Sequence, residues 1–181
     1  ESCKKAGRKP EDVRLIGVTK FHPVEVCREA RDLGLLDLGE NRVQEFTAKY
    51  EAVQGESPAI RWHLIGHLQR NKVKDVIGRT ELIHSVDSKR LLKEINKRAR
   101  KADIVQDVLL QVNYTGEPQK HGFSEEGLFE ALEDFGEKYE NINVRGLMTM
   151  AEYGASDDRL RETFSGVRDL LPKVRAKLPD E

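Results

Sequence analysis

The sequence predicts an α/β fold built on a parallel sheet, and two observations carry that prediction. Short apolar runs alternate with amphipathic stretches six times along the 181 residues. The runs read as strands buried on both faces, the signature of strands covered by helical crossovers. No linker, low-complexity tract or sequence repeat interrupts the alternation, so a single domain at 1–181 is expected. On these grounds alone the sheet is either open and doubly wound or closed into a barrel.

Each element follows from its residues. Residues 13–18 read as a buried strand that ends in Thr19 and Lys20. Pro23 suits the start of a helix, where its missing N–H has no intrahelical partner. That helix is expected to reach about residue 33, with Cys27, Ala30 and Leu33 on one face and Gly34 as its cap. A short strand is expected at 36–39. Val43, Phe46, Tyr50 and Val53 then recur at helical spacing. After a break at 55–58, the prediction is a strand at 61–67, a helix at 68–77 and a strand at 81–86. Ser88 is placed to cap a helix whose inner face carries Leu91, Leu92, Ile95 and Ala99. A fifth strand is expected at 105–112. Ser124 then caps a helix carrying Leu128, Leu132 and Phe135. A sixth strand at 144–150 precedes a helix at 157–178, with Leu160, Phe164, Val167, Leu171, Val174 and Leu178 turned inward.

Composition excludes several functions. Lys and Arg total 31, Asp and Glu 32, for a net charge of -1, which argues against nucleic acid or an anionic membrane as partner. The basic run Lys93, Lys97, Arg98, Arg100 and Lys101 reads as a solvated helix face. No apolar stretch reaches the roughly 20 residues of a membrane span. Two cysteines make neither a disulfide framework nor a zinc cluster, and a reducing, cytoplasmic setting is expected. The first residue is not Met, and a chain trimmed at its N-terminus is expected. Nucleotide-binding GxGxxG and GxxxxGK[ST] motifs and the GxSxG of serine hydrolases do not occur.

In either parallel architecture, function gathers at the C-terminal ends of the strands. Lys20 closes the first strand. A lysine partly desolvated there has more of the neutral amine that forms Schiff bases; the alternative is a lysine snorkelling to solvent. Asn41, in Gly39-Glu40-Asn41, either hydrogen-bonds a ligand or caps the next helix. His63 and His67 are four apart, which on a strand separates them by roughly 13 Å, too far to share an ion. With no third ligand cluster nearby, no metal site is expected. His63 lines a pocket or is a hydrogen-bonded core histidine. Lys120, in Lys120-His121-Gly122-Phe123, offers charge to an anion or occupies a turn.

Six blocks together resemble a known family. They are Val18-Thr19-Lys20, Gly39-Glu40-Asn41-Arg42-Val43-Gln44-Glu45, Trp62-His63-Leu64-Ile65-Gly66-His67-Leu68-Gln69, His84-Ser85-Val86-Asp87, Lys120-His121-Gly122-Phe123 and Gly146-Leu147-Met148-Thr149-Met150. In order and spacing they are similar to the pyridoxal phosphate homeostasis proteins. The resemblance implies the (β/α)8 TIM-type barrel of the alanine racemase N-terminal type, a fold-type III barrel for pyridoxal 5'-phosphate (PLP), with about six of its eight strand–helix units in this chain. It implies that Lys20 forms a Schiff base with the cofactor, and that Asn41, His63, Met148 and Lys120 line or border its pocket. It implies a vitamin B6 homeostasis role that serves PLP-dependent apoenzymes, a monomer or weak dimer, and no catalytic residue. Thr19, Phe21-His22 and Arg42 depart from the family's usual serine, Thr-Lys pair and tyrosine, and none of these changes removes the lysine. The family's Leu-Ser-Met-Gly-Met-Ser and Val-Arg-Ile-Gly blocks, which supply its last two strands and much of its phosphate cradle, do not occur here. A barrel typically takes about 250 residues, and a chain incomplete at its C-terminus is expected.

Two other readings are carried. A PLP-dependent amino-acid racemase would need a second acid/base opposite the lysine, a role assigned to none of Tyr50, Tyr114, Tyr139 and Tyr153. A barrel-like binding module without cofactor is the third.

Overall fold

The computed structural model describes residues 1–116 and 121–179, which leaves Lys120 outside the described residues. Six strands form one sheet: β1 Gly17–Val18, β2 Asp37–Glu40, β3 Arg61–Leu64, β4 Leu82–Val86, β5 Gln106–Gln111 and β6 Ile142–Met148. The helices are α1 Ser2–Lys5, α2 Val24–Asp32, α3 Val43–Val53, α4 Lys89–Lys101, α5 Glu125–Ala131, α6 Phe135–Lys138 and α7 Asp157–Arg175.

Strand order decides between the two parallel architectures. The order is β1-β2-β3-β4-β5-β6 and every pair is parallel. A doubly wound sheet reverses direction at a switch point, which puts helices on both faces. Here each new strand adds to the same edge. Right-handed crossovers then place every helix on one face and turn the other face inward, as in a barrel. Within the described residues, β1 and β6 are the sheet's edges.

The two faces differ in chemistry. Leu38, Trp62, Leu64, Ile83, Val108 and Leu110 point outward, at most 2% exposed, onto Phe46, Leu91, Leu92, Ile95 and Leu128 of the helices. Trp62 meets Phe46 edge to face at 5.9 Å. The alternate residues Asp37, His63, His84 and Asp107 point the other way. The helix-covered side of the sheet is therefore apolar, and the inner side carries these polar and charged residues, with Asp107 partly exposed.

Caps end several helices as their sequences dictate. Ser88 and Ser124 accept hydrogen bonds from the backbone N–H of Leu91 and Gly127. After α2, Gly34 takes φ +87°, its N–H donates to Arg31 and that of Leu35 to Ala30. These paired bonds are the Schellman closure, and glycine suits its left-handed residue.

Five expectations need correction. Strand pairing covers only Gly17–Val18 of 13–18 and stops at Leu64 in 61–67. Residues 68–77 contain a 3-10 segment, Arg70–Asp75, rather than an α-helix. Its buried residue Val73 and the buried cap residue Val76 are three apart, the period of the tighter helix. Leu33 is 88% exposed because it is the cap residue of α2, and Leu35 packs inward instead. Phe164 is 53% exposed, and α7 buries Thr163, Val167, Leu170 and Val174. No helix among the described residues is long and apolar enough to cross a membrane.

Candidate functional site

The strand ends are stitched together by side chains the sequence places one loop apart. At the first junction, the Thr19 hydroxyl donates to Glu40 Oε1 at 2.6 Å. Lys49 of α3 donates to the same oxygen at 2.6 Å and to the Thr19 carbonyl at 2.7 Å. Glu40 is fully buried, and its Oε2 meets no donor among the described residues. A buried ion pair of this kind is costly to break, so it holds the end of β1 against β2 and α3. Cys27 packs beneath, and burial pushes its thiol up.

Lys20 follows directly and is exposed. The expected partial desolvation is therefore corrected: the lysine lies beyond the edge strand, and its amine is open to solvent. Its Nζ sits 5.8 Å from the ring centroid of Phe21, which also lies 5.5 Å from the Arg42 guanidinium. Phe21 has φ +65°, an uncommon conformation for a bulky residue, and its N–H donates to Glu45 at 3.1 Å.

The β1–β2 pairing ends at Val18 and Gly39, and Lys20 and Asn41 each lie two residues beyond it. Asn41 does not cap α3, whose N-cap is Arg42. Its Oδ1 is buried and meets no donor among the described residues. Gly66 lies against the Asn41 backbone so closely that a Cβ there would sit 2.2 Å from the Asn41 carbonyl oxygen. Ser85 in turn donates to the Gly66 carbonyl at 2.6 Å. A cleft lined by Asn41, Arg42, Glu45, His67, Gln69 and Lys72 opens at this end.

His63 is not at a strand end. It pairs with Gly39 and Leu82 in mid-sheet and is fully buried. Its Nε2 lies 3.0 Å from Asp37 Oδ1 and its Nδ1 2.9 Å from His84 Nε2. Arg61 donates twice to Asp37 and holds that carboxyl down at about 2. An ionised Asp37 only accepts, so His63 Nε2–H donates to it, and one hydrogen is shared between His63 Nδ1 and His84 Nε2. Burial, and then the His63 charge, push His84 down to about 4. His63 is thus the hydrogen-bonded core histidine of the two sequence readings. Met148 closes β6, on the opposite edge from Lys20.

One grouping escaped the sequence reading. His67, Asp87 and His121 follow β3, follow β4 and precede α5, yet they meet at the strand-end face. The spacing of His63 and His67 gave no hint of it, because the partners come from other loops.

These features match known proteins. The family pattern described as "Alanine racemase, N-terminal domain" matches residues 4–181. A protein of Aquifex aeolicus named "Pyridoxal phosphate homeostasis protein" is 45% identical over 175 residues, which cover 97% of this chain and 75% of that one. A protein of the same name from Pseudomonas aeruginosa is 34% identical, over 94% of this chain and 73% of its own. The structure of PipY of Synechococcus elongatus PCC7942, with PLP bound, superposes with a TM-score of 0.85 at 30% identity, covering 97% of this chain and 81% of that one.

Proposed function

The chain belongs to the alanine racemase N-terminal domain family, and from that premise we propose that it binds PLP and holds it as a cofactor carrier in B6 homeostasis, with Lys20 as the attaching amine. Two relatives bear the homeostasis name and PipY was solved with PLP. The observation that carries the assignment to Lys20 is its place in the fold: an exposed lysine two residues past the last paired residue of β1, with the buried, donorless amide oxygen of Asn41 two residues past that residue's partner on β2. An orphan acceptor in that position fits a bound group that brings its own donor.

The cofactor supplies an aldehyde that condenses reversibly with a primary amine. The chain's residues do the rest. The Thr19–Glu40–Lys49 cluster fixes the end of β1, so Lys20 projects from a rigid base. Asn41 presents its acceptor, held in place by the close approach of Gly66. Met148 stands at the same end of the sheet, and Lys120 precedes α5 in the sequence. His63 acts at one remove, as part of the hydrogen-bonded interior under that face.

A carrier role, rather than turnover, is supported by where the tyrosines lie. Tyr50 packs on Phe46 and Arg79, Tyr139 on Phe135, and the Tyr114 ring fills the space over Gly166. Tyr153 is fully exposed. None stands beside Lys20 and Asn41 as a second acid/base.

The test is to mix the protein with PLP, reduce with borohydride and map the adduct by mass spectrometry. We expect the pyridoxyl group on Lys20 and its loss in Lys20→Ala. Equal labelling of Lys20→Ala overturns the assignment. Amino-acid racemisation and transamination by the loaded protein should not exceed free PLP; turnover abolished by Lys20→Ala overturns the carrier reading.

A further inference from the structure

The His67–Asp87–His121 cluster takes no part in the cofactor reading. His67 Nδ1 lies 3.2 Å from Asp87 Oδ2, and His121 Nδ1 lies 3.5 Å from the same oxygen. The two imidazole rings stack, with centroids 3.9 Å apart and planes 16° from parallel. One ligand atom from each residue lies within 4.8 Å of the other two.

Coordination geometry gives these distances a meaning. A tetrahedral ion with bonds of about 2.0–2.1 Å to nitrogen and oxygen has ligand-to-ligand edges of roughly 3.3–3.4 Å. Two of the three edges here, 3.2 and 3.5 Å, already have that length. Each imidazole can give one ring nitrogen to an ion once turned toward it, and the carboxylate supplies the negative charge.

The cluster is also anchored. Asp87 precedes α4, but Ser88 performs the capping, so the Asp87 carboxylate is not spent on the helix. Its side chain is 11% exposed, against 43% for His67 and 59% for His121. That makes one part-buried anchor and two exposed arms. The backbone beside each ligand is pinned. Gly66, next to His67, is packed on Asn41 and accepts from Ser85, two residues before Asp87. Gly122, next to His121, has φ +132°, and a Cβ there would lie 2.6 Å from the Asn113 nitrogen. Ligands held on fixed backbone lose little freedom on binding, which favours affinity.

We propose that His67, Asp87 and His121 form a binding site for a divalent late first-row metal ion, Zn2+ being the ion this donor set suits best. Two imidazole nitrogens and one carboxylate oxygen leave a fourth position open on the solvent side.

The full chain, stripped with a chelator, is titrated with Zn2+ by calorimetry and with Co2+ by visible absorption, which reads coordination number. The expected result is one ion per chain, low-coordinate Co2+ bands, and displacement of Co2+ by Zn2+. His67→Ala and His121→Gln should each weaken Zn2+ binding by about tenfold or more, since loss of even an outer partner costs that much. Both positions are exposed enough for the variants to keep the wild-type melting temperature in chelator. His22→Gln, at an exposed histidine outside the cluster, should bind as wild type does. Absence of stoichiometric binding overturns the proposal, as does binding that both cluster variants retain unchanged.

Discussion

At the residue scale, the chain of Arg61, Asp37, His63 and His84 ties acid sensitivity to one buried network. The folded state holds His84 neutral down to about 4, whereas an unfolded histidine takes up its proton near 6.5. Between those values the unfolded chain binds more protons, so stability is full above pH 6.5 and falls toward pH 4. The loss from this group is up to about 3 kcal/mol. Asp37 acts in a lower window, with its contribution present above 3.8 and lost as pH falls toward about 2. We expect the urea midpoint of the wild type to drop between neutral pH and pH 4.5 by more than that of His84→Gln. Parallel pH profiles for the two proteins would remove His84 as the cause. The sequence displayed Lys20 and Asn41 plainly, because each ends an apolar run beside the next. It could not display the role of His63, whose partners lie 21 and 26 positions away and become neighbours only through strand register.

At the element scale, two glycines separate backbone conformation from close contact. Gly34 closes α2 with φ +87° and has open space where a Cβ would go. Gly34→Ala should therefore cost roughly 1–2 kcal/mol through backbone strain alone, read by denaturant unfolding, with PLP binding unchanged. Gly66→Ala is different, because its Cβ would collide with the Asn41 carbonyl. That variant should lose stability by roughly 1–3 kcal/mol and also bind PLP more weakly, as followed by cofactor absorbance. A Gly66→Ala protein with wild-type affinity would show that Asn41 need not be held still. Helices with one apolar stripe were legible: Leu91, Leu92, Ile95 and Ala99 of α4 are all buried. In α7 two stripes at helical spacing overlap, and periodicity cannot choose between Phe164 and Thr163. Only packing against the sheet turned Thr163 inward.

At the scale of the whole molecule, β1 and β6 are the edges of the sheet among the described residues. β6 is the longer, with seven residues, and Val144 and Leu147 on it are only half-buried. The fold class was legible because alternation of strand and helix survives any detail of the boundaries. The choice of barrel over doubly wound sheet was not, since both produce the same alternation and differ only in which edge receives the next strand. That order has a kinetic side. Because each strand pairs with the strand before it, no unit waits for a distant partner, and closing each short loop costs little chain entropy. A ribosome delivering this chain from its N-terminus would release β1, β2 and β3 as a docked set while β5 is still being synthesised. The Thr19–Glu40–Lys49 clamp is made wholly from that early segment, so the base from which the proposed attachment point Lys20 projects is assembled first and the remaining units are added beside it.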